Sequence, residues 1–429
     1  GWGRVQDPDD VDHDPAEIHY ATCEEYDSPG VLKVGTSRHE RFIDDLTGQP
    51  LDPELCRKAR ATELQYFKDK EVWTLRKVSE ALRRQGKPPI TVRWVETNKG
   101  DDANPKIRSR LVAREIRLKG EEAIFAPTPP LESLRMVLSH ATTQLPDENK
   151  KVWDADSPDR QMIFFMDISR AYFNAKVDED DPVYVEMPPE IDAPPGMCAL
   201  LKRHMYGTRR AADGWQSEYS GSLIEFGFVQ GTSSACVFTH TERQIMVSVH
   251  GDDFTCSGAR PQLQWLETQL RSKYELTVGA RLGPGKDDDH EGLVLNRVVR
   301  WTSSGLEYEA DPRQAEKLIR DTELQGANSV TTPGVKPLAH QLEQEQPLSM
   351  SDFTRFRGQA ARANYLGPDR PDIIYAAKEV CRGMSSPTDL HQAALKRMVR
   401  YLRSRPRLVF KFDYQNADHI DAYADTDWA

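Results

Sequence analysis

Two apolar, strand-like runs that each lead to acidic residues constrain this chain more than any other feature. The first run covers 161–166 and is followed by Asp167, and the second covers 245–249 and leads into Asp252 and Asp253. Neighbouring strands that deliver carboxylates to one place build a site for paired divalent cations. Cations about 3.5–4 Å apart are what phosphoryl transfer between nucleotides uses. The pattern therefore predicts a nucleotidyl transferase, and its alternative is an ordinary Asp-rich hairpin turn.

Charge is distributed unevenly along the 429 residues, which carry a formal net charge of −11. Residues 1–50 hold 12 acidic and 4 basic side chains, so the other 379 residues carry only −3. Basic clusters at 106–119, 202–210 and 396–407 are candidate phosphate-binding patches, or else solvated helix faces. Overall acidity therefore does not exclude a nucleic-acid partner.

Composition also limits the environment that we expect for the chain. No apolar run approaches the roughly 20 residues of a membrane span, so we expect no membrane partner. The six cysteines lack metal-ligand spacing and predict free thiols in a reducing compartment.

Apolar periodicity and turn residues predict a succession of helices and strands. We expect helices at 54–70, 133–143, 215–226, 262–274, 313–321, 352–366, 371–384 and 390–403, with another helix from about Ser169. We expect strands at 91–96, 107–114, 161–167, 245–257 (a hairpin), 293–301, 408–414 and 419–424. The strands at 91–96 and 107–114 form a predicted hairpin whose second arm is basic.

Short motifs in this order resemble the reverse transcriptase of copia-like LTR retrotransposons. Arg-Leu-Val-Ala-Arg resembles that family's fingers hairpin, Asp-Ile-Ser-Arg-Ala-Tyr-Phe-Asn its first catalytic motif, and Met-Tyr-Gly the segment before its Trp. The later motifs resemble the helices before its RNase H domain and that domain's opening strand. The matching segments are 110–114, 125–127, 134–135, 167–174, 183–189, 201–215, 370–373, 395–402 and 422–429.

The resemblance implies an α+β fold of the right-hand polymerase type, in which helices back an antiparallel palm sheet and the first strands of an RNase H-like domain follow. The implied segments are an acidic linker or poorly ordered arm (1–50), fingers and the start of the palm (51–160), palm (161–260), end of palm and thumb (261–340), helical connection (341–407) and truncated RNase H domain (408–429).

The resemblance also assigns roles to residues at the implied metal site. Asp167 and Asp252 would be shared ligands of two Mg²⁺ ions, with Mn²⁺ as a substitute, and Asp253 a further catalytic carboxylate. Adjacent side chains of a strand point to opposite faces, so Asp252 and Asp253 face one metal only if the turn twists. Asp425 would begin an RNase H site that stays incomplete, so no RNase H activity is expected of this chain.

A second group of residues is expected to bind the incoming nucleotide. Tyr172 would pack under its sugar and exclude a 2′-hydroxyl, or else be a core tyrosine. Arg110, or Arg108 two residues earlier, would clamp the triphosphate with its planar fork. Tyr206 and Gly207 belong to the motif that completes this pocket.

The chain departs from the family at the catalytic turn, where His250-Gly251 precedes the two aspartates instead of Tyr-Val. This change leaves three functions open: an RNA-directed DNA polymerase, a catalytically impaired nucleic-acid-binding remnant, or a structural scaffold. The first implies an RNA template, a DNA primer and dNTPs as partners. It also implies the integrase and RNase H parts of a Pol polyprotein, in cytoplasmic virus-like particles.

Overall fold

A computed structural model describes residues 41–117, 124, 126–144, 153–419 and 421–424. The helices are α1 (Pro53–Asp69), α2 (Val78–Gln85), α3 (Leu131–Ala141), α4 (Ala211–Glu225), α5 (Arg260–Lys273), α6 (Pro312–Asp321), α7 (Ala339–Glu343), α8 (Met350–Leu366), α9 (Ile374–Arg382) and α10 (Asp389–Ser404). Single 3₁₀ turns cover Ala171–Asn174 and Gly367–Asp369. This mixture of helices and sheets confirms the predicted α+β class.

The strands form five sheets. They are β1 (Trp73–Lys77), β2 (Val92–Asn98), β3 (Ile107–Ala113), β4 (Thr143–Gln144), β5 (Gln161–Ile168), β6 (Tyr184–Val185), β7 (Met197–Leu201), β8 (Val229–Gln230), β9 (Val237–His240), β10 (Ile245–His250), β11 (Asp253–Ala259), β12 (Leu276–Leu282), β13 (Glu291–Val294), β14 (Arg297–Thr302), β15 (Gly305–Glu309), β16 (Val409–Asp413) and β17 (Gln415–Asn416).

The chain divides into two compact units. Unit A contains Pro129–Ile168 and Phe228–Ala429, and unit B contains Gln6–Thr128 and Ser169–Gly227. The division places the carboxylates at 167, 252 and 253 in unit A, and the residues expected to bind the nucleotide in unit B.

Unit A is built on a six-stranded antiparallel sheet in the order β12-β5-β11-β10-β9-β8. The strand β5 is apolar almost throughout because both of its faces are buried. Helix α3 covers one face, where Leu134 and Leu138 pack with Ile163 and Phe165. Helix α5 packs against β5 and β11, with Leu263 beside Gly258.

A second, four-stranded sheet in unit A has the order β13-β14-β15-β16. A helical cluster formed by α6, α8, α9 and α10 has its own core, which includes Leu318, Phe356, Met398 and Leu402. The segment 408–429, predicted to begin a further domain, contributes β16 to the four-stranded sheet.

Unit B contains the hairpin β2–β3 and a three-stranded sheet in the order β1-β7-β6. Helix α1 packs on β3, and the shared core includes Phe67, Leu111, Phe173 and Tyr206. Asp52 caps α1 by accepting the amides of Glu54 and Leu55. Of the predicted acidic arm, residues 1–40 lie outside the described part, and 41–50 form a turn tied to β2 by hydrogen bonds.

Three predicted elements differ from the structure. The expected strand at 293–301 is a hairpin, because Leu295 and Asn296 adopt positive φ angles of 48° and 61° and reverse the chain between β13 and β14. The helix expected from Ser169 is only the 3₁₀ turn Ala171–Asn174. The described residues within 419–424 form no strand.

No helix within the described residues has the length and apolar character needed to cross a membrane.

Candidate active site

Strand pairing in unit A places two carboxylates opposite each other. Asp253, the first residue of β11, is the cross-strand partner of Asp167 near the end of β5. The Ile168 amide donates to the Asp252 carbonyl oxygen at 3.0 Å, so the adjoining Asp167–Asp253 pair is of the non-hydrogen-bonded kind. In such a pair the Cα atoms are about 4.5 Å apart and the side chains lie on one face. Both aspartates are partly exposed at this position.

A two-residue turn carries the third carboxylate. His250 pairs with Asp253, which leaves Gly251 and Asp252 as the turn between β10 and β11. Gly251 has a φ of +66°, the positive value that tight hairpin turns require at their first central residue. Asp252 therefore lies in the hairpin turn, one residue before Asp253 of the Asp167–Asp253 pair. Its carbonyl oxygen accepts the hydrogen bond from Ile168 at the end of β5.

The face that carries these side chains also borders a small cavity. Its lining includes His250, Ser248, Asp253 and Thr255 from the hairpin, together with residues at the start of α3. Deeper on this face, the His140 imidazole Nδ1 lies 2.7 Å from the Ser257 hydroxyl. Burial lowers the pKa of His140 to about 4, so this histidine is neutral at pH 7.

The donor set fits a hard divalent cation that is completed by substrate. Like charges directly opposite each other on a sheet are destabilising, and a bound divalent cation would offset that cost. Mg²⁺ is commonly held by one or two carboxylates together with water and substrate phosphates. Within the described ranges no group of three or more His, Cys, Asp or Glu side chains forms a cage for a metal. Asp167 and Asp253, with Asp252 beside them, suit a site of the substrate-completed kind.

The residues expected to bind the nucleotide come together in unit B. The Arg110 guanidinium lies over the Tyr206 ring at 4.3 Å from its centre, and the Tyr172 and Tyr206 rings meet edge to face at 5.2 Å. Arg110 is buried, whereas Arg108 on the same strand face is exposed. The structure therefore gathers Arg110, Tyr172 and Tyr206, and leaves Arg108 at the surface of the hairpin.

Gly207 allows the Tyr206 segment to approach β3. It has a φ of +81°, and a Cβ atom there would lie 1.9 Å from the Ala113 carbonyl oxygen. The Ala113 amide donates to the Tyr206 carbonyl oxygen at 2.8 Å. Any side chain at position 207 would separate Tyr206 from the strand that carries Arg110.

Two residues that the sequence patterns did not indicate adjoin this group. The Glu63 carboxylate on α1 is almost fully buried and accepts the Nε–H of Arg170 at 3.1 Å. The Arg170 guanidinium in turn lies over the Tyr66 ring at 4.1 Å. Glu63 and Arg170 are 107 positions apart, so no local spacing could have indicated the contact.

The sequence left the basic cluster at 396–407 open as a phosphate-binding patch or a solvated helix face, and the structure shows that several of its arginines make hydrogen bonds within unit A. Arg400 donates to the Asn328 carbonyl oxygen at 2.6 Å, and Arg403 to that of Gln325 at 2.7 Å. Arg397 donates to the Thr332 hydroxyl at 2.8 Å. These hydrogen bonds hold the loop 325–332 against α10. Contacts within the protein therefore account for much of the basic cluster, without a bound nucleic acid. Asp425, the predicted RNase H residue, lies outside the described residues.

Comparisons with known proteins agree with the motifs. A sequence profile of the family described as reverse transcriptase (RNA-dependent DNA polymerase) matches residues 70–336. The retrovirus-related Pol polyprotein from transposon RE1 of Arabidopsis thaliana is 28% identical over 350 residues, which are 79% of this chain and 22% of that protein. The corresponding polyprotein from transposon TNT 1-94 of Nicotiana tabacum is 21% identical over 399 residues, which are 88% of this chain and 27% of that protein. The chain thus spans about a quarter of these relatives.

Proposed function

Because this chain belongs to the reverse transcriptase (RNA-dependent DNA polymerase) family, we propose that it adds deoxynucleotides to a primer 3′-hydroxyl on an RNA template. Its relatives are Pol polyproteins of copia-type transposons. The single observation that carries the proposal is the register that sets Asp253 opposite Asp167. The other Pol parts as partners, and cytoplasmic virus-like particles as the location, belong to the same proposal.

The chemistry that we propose depends on Asp167 and Asp253, with Asp252 at the turn, as the residues that hold two Mg²⁺ ions. When bound there, such ions would supply activation of a primer 3′-hydroxyl and stabilisation of charge on the α-phosphate and the leaving pyrophosphate. The chain itself would supply carboxylates held in place by the pairing of β5 with β11. Fixed ligands of this kind reduce the reorganisation that the reaction needs.

The proposed contacts to the nucleotide come from the residues gathered around Tyr206. Arg110 would face the triphosphate, because a guanidinium binds phosphate oxygens in pairs. Tyr172 would lie against the sugar, where the edge-to-face contact with Tyr206 holds its ring. A ring fixed in this way would collide with a 2′-hydroxyl and thereby select deoxynucleotides.

The polymerase parts follow from this assignment. The six-stranded sheet with β5 and the β10–β11 hairpin would be the palm, and the β2–β3 hairpin would belong to the fingers. The helical cluster of α6, α8, α9 and α10 would provide the thumb and connection. These assignments apply the polymerase segments implied by the sequence resemblance to the observed helices and strands. The primer-extension experiment below tests them together with the proposed function.

A second candidate function is a nucleic-acid-binding remnant that no longer polymerises. The observation that favours it is Gly251 at the catalytic turn, which lacks the side chain that the family places there. Such a remnant would bind a hybrid with strong salt dependence but would not extend a primer.

Primer extension on poly(rA)/oligo(dT) with dTTP and Mg²⁺ tests the proposal. We expect the unaltered chain to extend the primer, and Asp167→Asn to reduce the rate by at least roughly 100-fold, because an amide cannot supply the anionic ligand. Glu242→Gln is the matched control, since Glu242 is an exposed carboxylate in the turn between β9 and β10. Hybrid binding without extension by the unaltered chain would contradict the proposal and support the remnant.

A further inference from the structure

Glu63 is a buried carboxylate of unit B whose ionisation is influenced by two guanidinium groups. Its side chain is 4% exposed, and one oxygen accepts the Arg170 Nε–H at 3.1 Å. Burial raises the pKa of Glu63, and the charges of Arg170 and Arg110 act in the opposite direction. One buried carboxylate thus interacts with the charges of two guanidinium groups.

Arg170 is held in a conformation that ordinary residues avoid. Its φ of 51° lies in the left-handed region, which non-glycine residues adopt rarely. Residues held in such a conformation cluster at functional sites. The Glu63 carboxylate and the Tyr66 ring fix the side chain from two directions. Arg170 follows Asp167 by three positions, so this conformation occurs where the chain leaves the carboxylate strand.

The free donors of Arg170 distinguish it from a purely structural arginine. Only its Nε–H is used by a side-chain hydrogen bond within the described part of the chain, and the terminal nitrogens lack a protein acceptor there. The side chain is 30% exposed, whereas Arg110 is only 7% exposed and lies against Tyr206. The two terminal nitrogens offer a pair of donors suited to phosphate oxygens.

We propose that Arg170 binds the triphosphate of the incoming nucleotide and that Glu63 is the positioning residue that holds it for this contact. The inference rests on the proposed function, because it names a further part of the same nucleotide site. Arg110 keeps the role proposed for it above, and Arg170 adds a second guanidinium to the phosphate contact. The alternative is that Arg170 only neutralises Glu63 in the core.

Direct measurement of ligand affinity distinguishes phosphate binding by Arg170 from a role that only neutralises Glu63. We would titrate the full chain with dTTP, inorganic tripolyphosphate or thymidine in metal-free buffer, using calorimetry. Arg170→Ala is expected to weaken dTTP and tripolyphosphate by roughly 10- to 100-fold, as expected for the loss of a charge-assisted hydrogen bond, and to leave thymidine unaffected. Arg76→Ala is the control, because Arg76 is a half-exposed arginine of unit B whose partner Glu80 is 3.6 Å away. It should leave all three affinities unchanged.

Two further variants test the positioning role and guard against misfolding. Arg170→Lys keeps the charge but loses the planar fork, so it should bind dTTP with an affinity between those of Arg170→Ala and the unaltered chain. Glu63→Gln should raise KM for dTTP in primer extension while kcat stays within about twofold, because it removes a binding interaction rather than a chemical one. A purely structural role would not produce this split between KM and kcat.

The outcomes also separate this inference from the proposed function. If Arg170→Ala binds dTTP and tripolyphosphate like the unaltered chain, the inference is wrong even when primer extension is normal. If the unaltered chain binds dTTP through Arg170 but extends no primer, the proposed polymerase activity is wrong and the phosphate contact stands.

Discussion

At the scale of single residues, Gly251 determines the shape of the turn that carries Asp252. Its φ of +66° is a value that glycine adopts readily and other residues adopt at a cost. A Cβ atom built there meets nothing within 4 Å. The energetic penalty for a side chain at this position therefore comes from the backbone conformation and not from packing. The stability of a substituted chain thus reports the conformation of the turn.

We predict that Gly251→Ala lowers the free energy of unfolding by about 1–2 kcal/mol, the usual cost of left-handed backbone for an L-residue. Urea denaturation followed by circular dichroism measures the change. Gly221→Ala is the matched control, because Gly221 lies in α4 with nothing within 4 Å of its Cβ position. It should raise stability by about 0.5–1 kcal/mol. A neutral Gly251→Ala would show that the turn is not left-handed at this residue.

At the scale of elements, Asp369 joins the four-stranded sheet to the helical cluster within unit A. Its carboxylate is 2% exposed and accepts two hydrogen bonds from Arg297, at 3.0 and 2.9 Å, and one from the Tyr308 hydroxyl at 2.6 Å. Burial and the nearby Asp369 charge raise the pKa of Tyr308. The 3₁₀ turn between α8 and α9 is thereby fixed to β14 and β15.

We predict that Asp369→Asn destabilises the protein by about 3–5 kcal/mol, because it leaves the Arg297 charge buried without its counter-ion. Thermal or urea unfolding gives the comparison. Asp413→Asn, which alters an exposed aspartate of β16 in the same sheet, should stay within about 0.5 kcal/mol of the unaltered chain. Equal losses from the two variants would argue against a buried ionic link at Asp369.

At the scale of the whole molecule, the helices and strands that sequence predicts well are those marked by a pattern of neighbouring residues. The strand β5 and the β10–β11 hairpin could be predicted because each is an apolar run that leads to an acidic residue. Helices such as α5 and α10 follow from apolar periodicity. The β13–β14 turn was missed because Leu295-Asn296 is not among the strongest turn signals, although asparagine tolerates positive φ.

Contacts between distant segments could not be predicted in this way. The sequence placed Asp167 and Asp253 at the ends of strands, but only the pairing register shows that they are directly opposite. Likewise, the motif indicated Arg110 and Tyr172, whereas Glu63–Arg170 depends on how α1 packs. Register and packing are set by the entire core, which a local pattern does not encode.

The measurement that tests the central claim most directly is Mn²⁺ binding to the Asp167–Asp253 pair. Electron paramagnetic resonance of free Mn²⁺, with the chain bound to an RNA–DNA hybrid, gives the affinity independently of catalysis. We predict that Asp167→Asn and Asp253→Asn each weaken Mn²⁺ binding by roughly tenfold or more, while Glu242→Gln leaves it unchanged. If both aspartate variants bind Mn²⁺ as tightly as the unaltered chain, the opposed carboxylates are not the metal site and the proposed mechanism is wrong.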